Sequence, residues 1–146
     1  MDVEDSLLFQ KLFSADSFDT VFWGDNIEHL YNPENTINEI KRVLKFQGRL
    51  ILSFPNSGWW YDRYYHLKYG KLYKSEGGTE KPWEWQHIRF FNLDIIREFI
   101  GRYGFRINKV YGVMDNKYWF QSKLTKIFPT IFGSILIIEA IKEDVR

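Results

Sequence analysis

Residues 16–56, DSFDTVFWGDNIEHLYNPENTINEIKRVLKFQGRLILSFPN, constrain the fold more than any other part of the chain. Residues 18–23 (FDTVFW) are a short, mostly apolar run rich in β-formers that ends in Gly24-Asp25-Asn26. That is the pattern of a buried parallel strand whose C-terminal end opens into a loop. Asn32-Pro33-Glu34 supplies an N-cap, a proline at the first helical position and an acid in the first turn, which together start a helix. Ile37, Ile40, Val43 and Leu44 recur on one face of it, and Gln47-Gly48 is expected to stop it. Residues 49–54 (RLILSF) predict a second buried strand, closed by Pro55-Asn56. Strands joined through a helix argue for an α/β sheet with parallel members.

The remainder continues the pattern. Residues 59–69 are expected to be helical and residues 70–86 to form a loop containing Gly77-Gly78 and Pro82. Asn92 is the N-cap of a predicted helix over 93–103, with Ile96, Phe99, Ile100 and Tyr103 inward and Gly104 as its stop. Residues 105–113 predict a strand, 119–128 an amphipathic helix or turn, and 133–142 the last strand. The last two strands are expected to form an antiparallel pair.

With 146 residues, one domain is expected, able to bury about two-thirds of the surface of the unfolded chain. A net charge of +1 offers no global attraction for nucleic acid or an anionic membrane. The absence of cysteine excludes disulfides, thiolate catalysis and cysteine zinc sites. Asp2, Glu4 and Asp5 carry the wrong charge for a secretory leader. The apolar run at 134–138 is far short of the roughly 20 residues that span a bilayer. A cytoplasmic protein without a membrane span is the expectation.

The run SFDTV, then EHL, then NPENTINEIKRVLKFQGRLILSFPN resembles the type 11 branch of the class I S-adenosylmethionine (SAM) dependent methyltransferases. Gln47-Gly48 stands where that family usually has Gly-Gly. Farther on come the tryptophan-rich segment, Glu84-Trp85, His87, Arg89-Phe90-Phe91 and Gly104-Phe105. This order is similar to the MetW-like members. The resemblance covers about residues 1–115, and residues 133–142 fit the family's final hairpin. It implies a partial Rossmann-like sheet of mixed direction, helices on both faces, and one methyltransferase-like domain over 1–146 with 57–91 as an aromatic lid. It also implies SAM as cofactor and methyl transfer to a small-molecule acceptor.

Two parts of the family's cofactor site have no counterpart. No Gly-x-Gly-x-x-Gly turn occurs, and there is no acidic residue placed after a second strand to hold the ribose hydroxyls. Asp2-Val3-Glu4 resembles the turn that contacts adenine. The resemblance therefore implies a truncated or split form that begins near that turn and leaves the 18–23 strand as an edge, whereas it is central in the family. A long apolar edge invites pairing. A second copy, a separate N-terminal half-protein or residues 1–15 are expected to cover it. The alternative to an enzyme is a non-catalytic remnant that dimerises or binds a partner.

Candidate site residues follow from position. Gly24, Asp25 and Asn26 end the first strand, where open α/β sheets bind ligands. With Asp2 and Val3, the resemblance places them beside the cofactor. Glu28, His29 and His87 are the candidate catalytic residues, because a methyl acceptor that carries a proton needs a base within hydrogen-bond reach. Glu28 and His29 fit equally well as the start of a helix, and His87 as a loop histidine packed on Trp85. Asp-x-x-Glu-His also resembles the metal-holding Glu-x-x-Glu-His of ubiquinone-type O-methyltransferases and of small-RNA 3′-end methyltransferases. No metal is assigned here; Asp25, Glu28, His29 and His87 are the residues such a site would use. Trp59, Trp60, Tyr61, Tyr64 and Trp85 are the candidate acceptor-binding residues, because tryptophan and tyrosine combine apolar area with one polar tip. Interleaved with Arg63, Lys68, Lys71 and Lys74, they also suit a protein interface or stacking on bases. The near-neutral total charge argues against nucleic acid. Asn56 is expected to form a turn.

Overall fold

A computed structural model describes residues 12–70, 86–114 and 121–143. The elements are β1 (Phe18–Gly24), a single 3-10 turn (Ile27–His29), α1 (Pro33–Val43), β2 (Leu44–Pro55), α2 (Trp60–Tyr69), α3 (Leu93–Arg102), β3 (Phe105–Val113), α4 (Gln121–Ile127), α5 (Pro129–Phe132) and β4 (Ile135–Lys142). The four strands form one sheet in the order β1-β2-β4-β3. β1 runs parallel to β2, and β4 is antiparallel to both β2 and β3. The architecture is α/β with a mixed sheet, and among the described residues the 18–23 strand lies at an edge of it.

Local chemistry explains the helices. Asn32 Oδ1 accepts the Asn35 amide N–H at 3.2 Å, and Pro33 occupies the first turn. Ile37, Ile40 and Val43 form the buried stripe. The helix ends at Val43 rather than at Gln47-Gly48, because Leu44 is already extended and pairs with Phe18. Gln47 takes φ +58 where the register of β1 and β2 shifts, so that turn signal marks a bulge inside the strand, not a helix stop. Asn92 Oδ1 caps α3 by accepting the Ile95 amide at 2.9 Å. Ile96 and Ile100, one turn apart, are fully buried, and Gly104 leaves the helix with φ +81.

The sheet is two-faced. Leu50, Leu52, Leu136, Ile138 and Ala140 have no exposed surface. Burying each of the larger ones contributes about 1.5–3 kcal/mol relative to leaving it in water. Their alternates Ile51, Ile137 and Ile141 are only half-buried. On edge strand β1, Trp23 is buried and Phe22 is 70% exposed. The described residues therefore pack around one apolar core, extended by Ile27, Leu30, Phe54, Phe91 and Phe105, and present an exposed apolar residue on β1.

Candidate functional site

Because β1 and β2 are parallel, their C-terminal ends open on the same side of the sheet, the ligand-binding position of this architecture. β1 leaves the sheet through Asp25, whose φ is +41. Its amide donates to both the carbonyl and the hydroxyl of Ser53 on β2, each at 3.1 Å. Asn26 accepts the indole N–H of Trp23 at 3.2 Å. Gly24, Asp25 and Asn26 thus sit together at the strand end. Asp2, Val3 and Trp85 lie outside the described residues.

The 3-10 turn follows at once. Ile27 and Glu28 are buried within it. Glu28 is covered by the segment that precedes α3. The amides of Ile88 and Arg89 both donate to the Glu28 carbonyl, at 3.0 and 3.2 Å. The Arg89 guanidinium then donates to the carbonyls of Leu30 and Tyr31, at 2.9 and 2.7 Å. This strap brings His87 against His29, with ring centroids 4.7 Å apart at 70°. His29 Nδ1 lies 3.1 Å from the Gln86 carbonyl oxygen, and His29 Nε2 lies 3.7 Å from Glu28 Oε1. Each of Glu28, His29 and His87 offers one ligand atom within 4.8 Å of the others. Asp25 is outside that group but near enough to act on its charges.

Burial raises the Glu28 carboxyl above its usual range; its own backbone and His29 oppose this, and Asp25 adds to it. Burial and the neighbouring His29 lower His87, with Asp25 opposing. Glu28 Oε2 has no hydrogen-bond partner among the described residues. Perturbed titratable groups gather at functional sites and also in structural ion pairs.

The candidate acceptor residues Trp59, Trp60, Tyr61 and Tyr64 line one helix start. Rings follow one another from Trp59 to Tyr61 (5.3 Å), Tyr61 to Tyr64 (6.2 Å), Tyr61 to Tyr65 (6.4 Å) and Tyr65 to Tyr69 (4.6 Å). Lys68 Nζ sits 5.6 and 5.0 Å from the Tyr64 and Tyr69 ring centres. α2 contains no fully buried residue, and Trp60, Tyr64, Leu67 and Tyr69 are exposed. Trp59, Trp60, Tyr61, Tyr64, Tyr65 and Tyr69 thus form one exposed to half-buried array rather than core.

Two features escaped the sequence. The Gln86–Arg89 strap works through backbone groups, which leave no residue pattern. Asp62, in the first turn of α2, has its carboxyl raised to about 6 by burial, and its Oδ1 has no partner among the described residues. The helix dipole at that position favours the anion, yet desolvation outweighs it. A carboxyl whose folded pKa exceeds its unfolded value destabilises the chain once both forms ionise. Stability should therefore fall as pH rises from about 4 through 6. Asp62→Asn is expected to raise the melting temperature at pH 7.5 by about 3–5 °C, the size of a ~1 kcal/mol gain in a chain of this length. The gain should vanish near pH 4. Thermal unfolding at both pH values tests this, and an equal effect at both would refute it.

The family model for methionine biosynthesis protein MetW matches residues 2–139. The chain belongs to the MetW family. No curated protein sequence matches this MetW-family chain, but its fold has many solved neighbours. A SAM-dependent methyltransferase from Thermotoga maritima superposes over 90% of this chain with a TM-score of 0.60 and 20% identity. A Burkholderia thailandensis 1,6-didemethyltoxoflavin-N1-methyltransferase, solved with that substrate and S-adenosylhomocysteine, covers 99% with 0.60 and 14%. A complex of the Trm112 methyltransferase activator and a methyltransferase from Haloferax volcanii covers 100% with 0.59 and 16%. At these identities the likeness establishes the fold. The MetW-family chain spans 59%, 49% and 60% of those three chains respectively. Among the described residues no helix is long and apolar enough to cross a membrane.

Proposed function

We propose that this chain is the acceptor-side part of a SAM-dependent methyltransferase acting on a small molecule in the cytoplasm, and that further polypeptide completes its cofactor site. The observation that carries the reading is the placement of Glu28, His29 and His87 beside the C-terminal end of β1, in a methyltransferase-like sheet in which β1 is the edge strand among the described residues. SAM, when bound, supplies an electrophilic methyl group. The chain's own residues would do the rest. Gly24, Asp25 and Asn26 would border the cofactor, with Asp2 and Val3 near its adenine. Trp59, Trp60, Tyr61, Tyr64 and Trp85 would hold the acceptor and exclude water. His29 or His87 would take the acceptor's proton; the lowering of His87 keeps its ring neutral and able to accept one near pH 7. Alignment provides most of the remaining acceleration.

The residues present fit only part of SAM. The Gly-rich turn and the ribose-binding acid have no counterpart in the sequence. The exposed Phe22 on an edge strand supports pairing with the polypeptide that carries them. The separate activator in the Haloferax complex is a precedent for a methyltransferase with a partner chain.

Calorimetry with SAM and S-adenosylhomocysteine tests the proposal on the 146-residue chain alone and on the chain fused behind the Gly-rich half of a MetW-family relative. No binding by the folded chain alone, and micromolar binding by the fusion, are expected. A folded fusion that does not bind would overturn the enzyme reading in favour of a non-catalytic module that pairs through β1. Micromolar binding by the chain alone, with a dimeric mass, would instead show that two copies rebuild the cofactor site.

A further inference from the structure

We propose that Glu28, His29 and His87 form a binding site for one divalent transition metal of the zinc class. The argument starts from donors and acceptors. The Gln86 carbonyl oxygen, 3.1 Å from His29 Nδ1, can only accept. Nδ1 therefore carries the proton, and in the neutral ring Nε2 holds a lone pair. That lone pair faces Glu28 Oε1 at 3.7 Å, so two acceptors are turned toward each other. The other carboxylate oxygen, Oε2, is buried with no partner among the described residues, on a side chain only 3% exposed. The His87 ring closes the third side. A cation in the middle satisfies the His29 Nε2 and Glu28 lone pairs at once, with the His87 ring as a further donor. A histidine whose other nitrogen is tied to a backbone carbonyl is the usual form of a metal-bound imidazole, because that bond fixes the tautomer and aims the ring.

The donor set selects the metal. Two imidazole nitrogens and one carboxylate suit zinc, cobalt or iron in the divalent state, with at least one coordination position left over. Magnesium and calcium prefer all-oxygen sets. Bonds of about 2.0–2.2 Å require ligand atoms roughly 3–3.5 Å apart, so the present 4.8 Å spread must contract. Glu28 and His29 sit on the 3-10 turn and half-buried His87 on the strap, so the contraction would come from a turn of the His87 ring toward the other two. The left-over position would be open to an oxygen ligand. If the methyl-transfer reading holds, the metal would take the place of a histidine base: an acceptor hydroxyl bound there would release its proton more easily, to solvent water. That clause rests on the reading; the metal site itself does not.

The test uses metal alone. Zn²⁺ is titrated calorimetrically into the metal-stripped 146-residue chain, and Co²⁺ is followed by its visible absorption, without SAM or turnover. One equivalent bound at micromolar affinity or better is expected, with Mg²⁺ producing no response. His29→Ala and His87→Ala should each weaken Zn²⁺ binding at least ~100-fold and remove the Co²⁺ bands, since each deletes a direct ligand. His66→Ala, the remaining histidine, exposed on α2, should change nothing. Far-UV circular dichroism checks that each variant is folded. No binding by the folded parent, or unchanged binding by the folded His29→Ala/His87→Ala double variant, would overturn the proposal. Neither result bears on SAM binding by the fusion, so the two readings fail separately.

Discussion

Asn56→Asp should destabilise the fold by about 3–5 kcal/mol at neutral pH, the range for a charge buried without a partner. Against a total of about 5–15 kcal/mol for a domain, that is enough to leave much of the chain unfolded at moderate temperature. Asn56 is 2% exposed and stands at the end of β2. Its Nδ2 donates to the carbonyls of Thr130 and Gly133, at 2.9 and 2.8 Å, and its Oδ1 accepts the Gly58 amide at 3.0 Å. Its own amide donates to Ser134 at 2.7 Å, and its carbonyl accepts from Trp59 at 3.0 Å. The orientation of the amide is fixed, because carbonyls can face only the NH2 group and the Gly58 N–H only the oxygen. An aspartate would point an anionic oxygen at two carbonyls. Asn56→Ala removes the repulsion but leaves three groups unsatisfied, a cost of about 2–4 kcal/mol at ~1 kcal/mol or more for each. The ranking Asp worse than Ala is what urea unfolding should find at pH 7. The new carboxyl's folded pKa would lie above its unfolded value. The Asp deficit should therefore shrink as pH falls toward 4, where protonation restores one donor. An Asn56→Asp variant as stable as the parent at pH 7 would show that this network contributes nothing.

Asn56 also shows what could be read from the chain. Pro55-Asn56 announces a strand end and a turn, and both are there. Nothing in the sequence says that the same amide holds a turn more than 70 residues later. The division is general in this molecule. Asn32-Pro33 and Asn92 were legible because capping is local chemistry. α1 ends at Val43, short of the Gln47-Gly48 signal, because pairing of Leu44 with Phe18 overrides the helix-compatible LKFQ. At the candidate site, Glu28 and His29 stand out as neighbours at a strand end. The approach of His87 depends on two backbone amides reaching the Glu28 carbonyl, which no side-chain pattern encodes. The array Trp59, Tyr61, Tyr64, Tyr65, Tyr69 was visible by composition. Its exposure was not, since the same spacing would serve a buried helix.

The second large effect lies where Asn56 ends its reach. Gly133→Ala should cost about 2–3 kcal/mol and Gly112→Ala about 1–3 kcal/mol, the range of forced overpacking. Conformation is not the reason at residue 133, whose φ of −78 and ψ of 124 suit alanine. Space is. A Cβ on Gly133 would sit 2.6 Å from the Pro129 carbonyl oxygen and 2.7 Å from the Gly112 Cα. A Cβ on Gly112 would sit 2.8 Å from both the Cα and the oxygen of Pro129. These neighbours are backbone and cannot rotate away. Relief requires α5 to move off β3, which breaks the bond from the Gly133 amide to Pro129 at 2.8 Å and displaces the Gly133 carbonyl from Asn56. The costs should therefore not add. Once either alanine has opened the gap, the second enters partly relieved, so the double variant should lose less than the sum by about 0.5–3 kcal/mol. The same coupling is expected between Gly133→Ala and Asn56→Ala, since both loosen one turn. Simple additivity in denaturant unfolding would mean that α5 and the end of β2 are held independently. Sub-additivity in both pairs would mean that a single packed junction fixes the β2 end, and with it the backbone that carries Ser57, whose amide and hydroxyl both donate to the Phe91 carbonyl at the foot of the His87 strap.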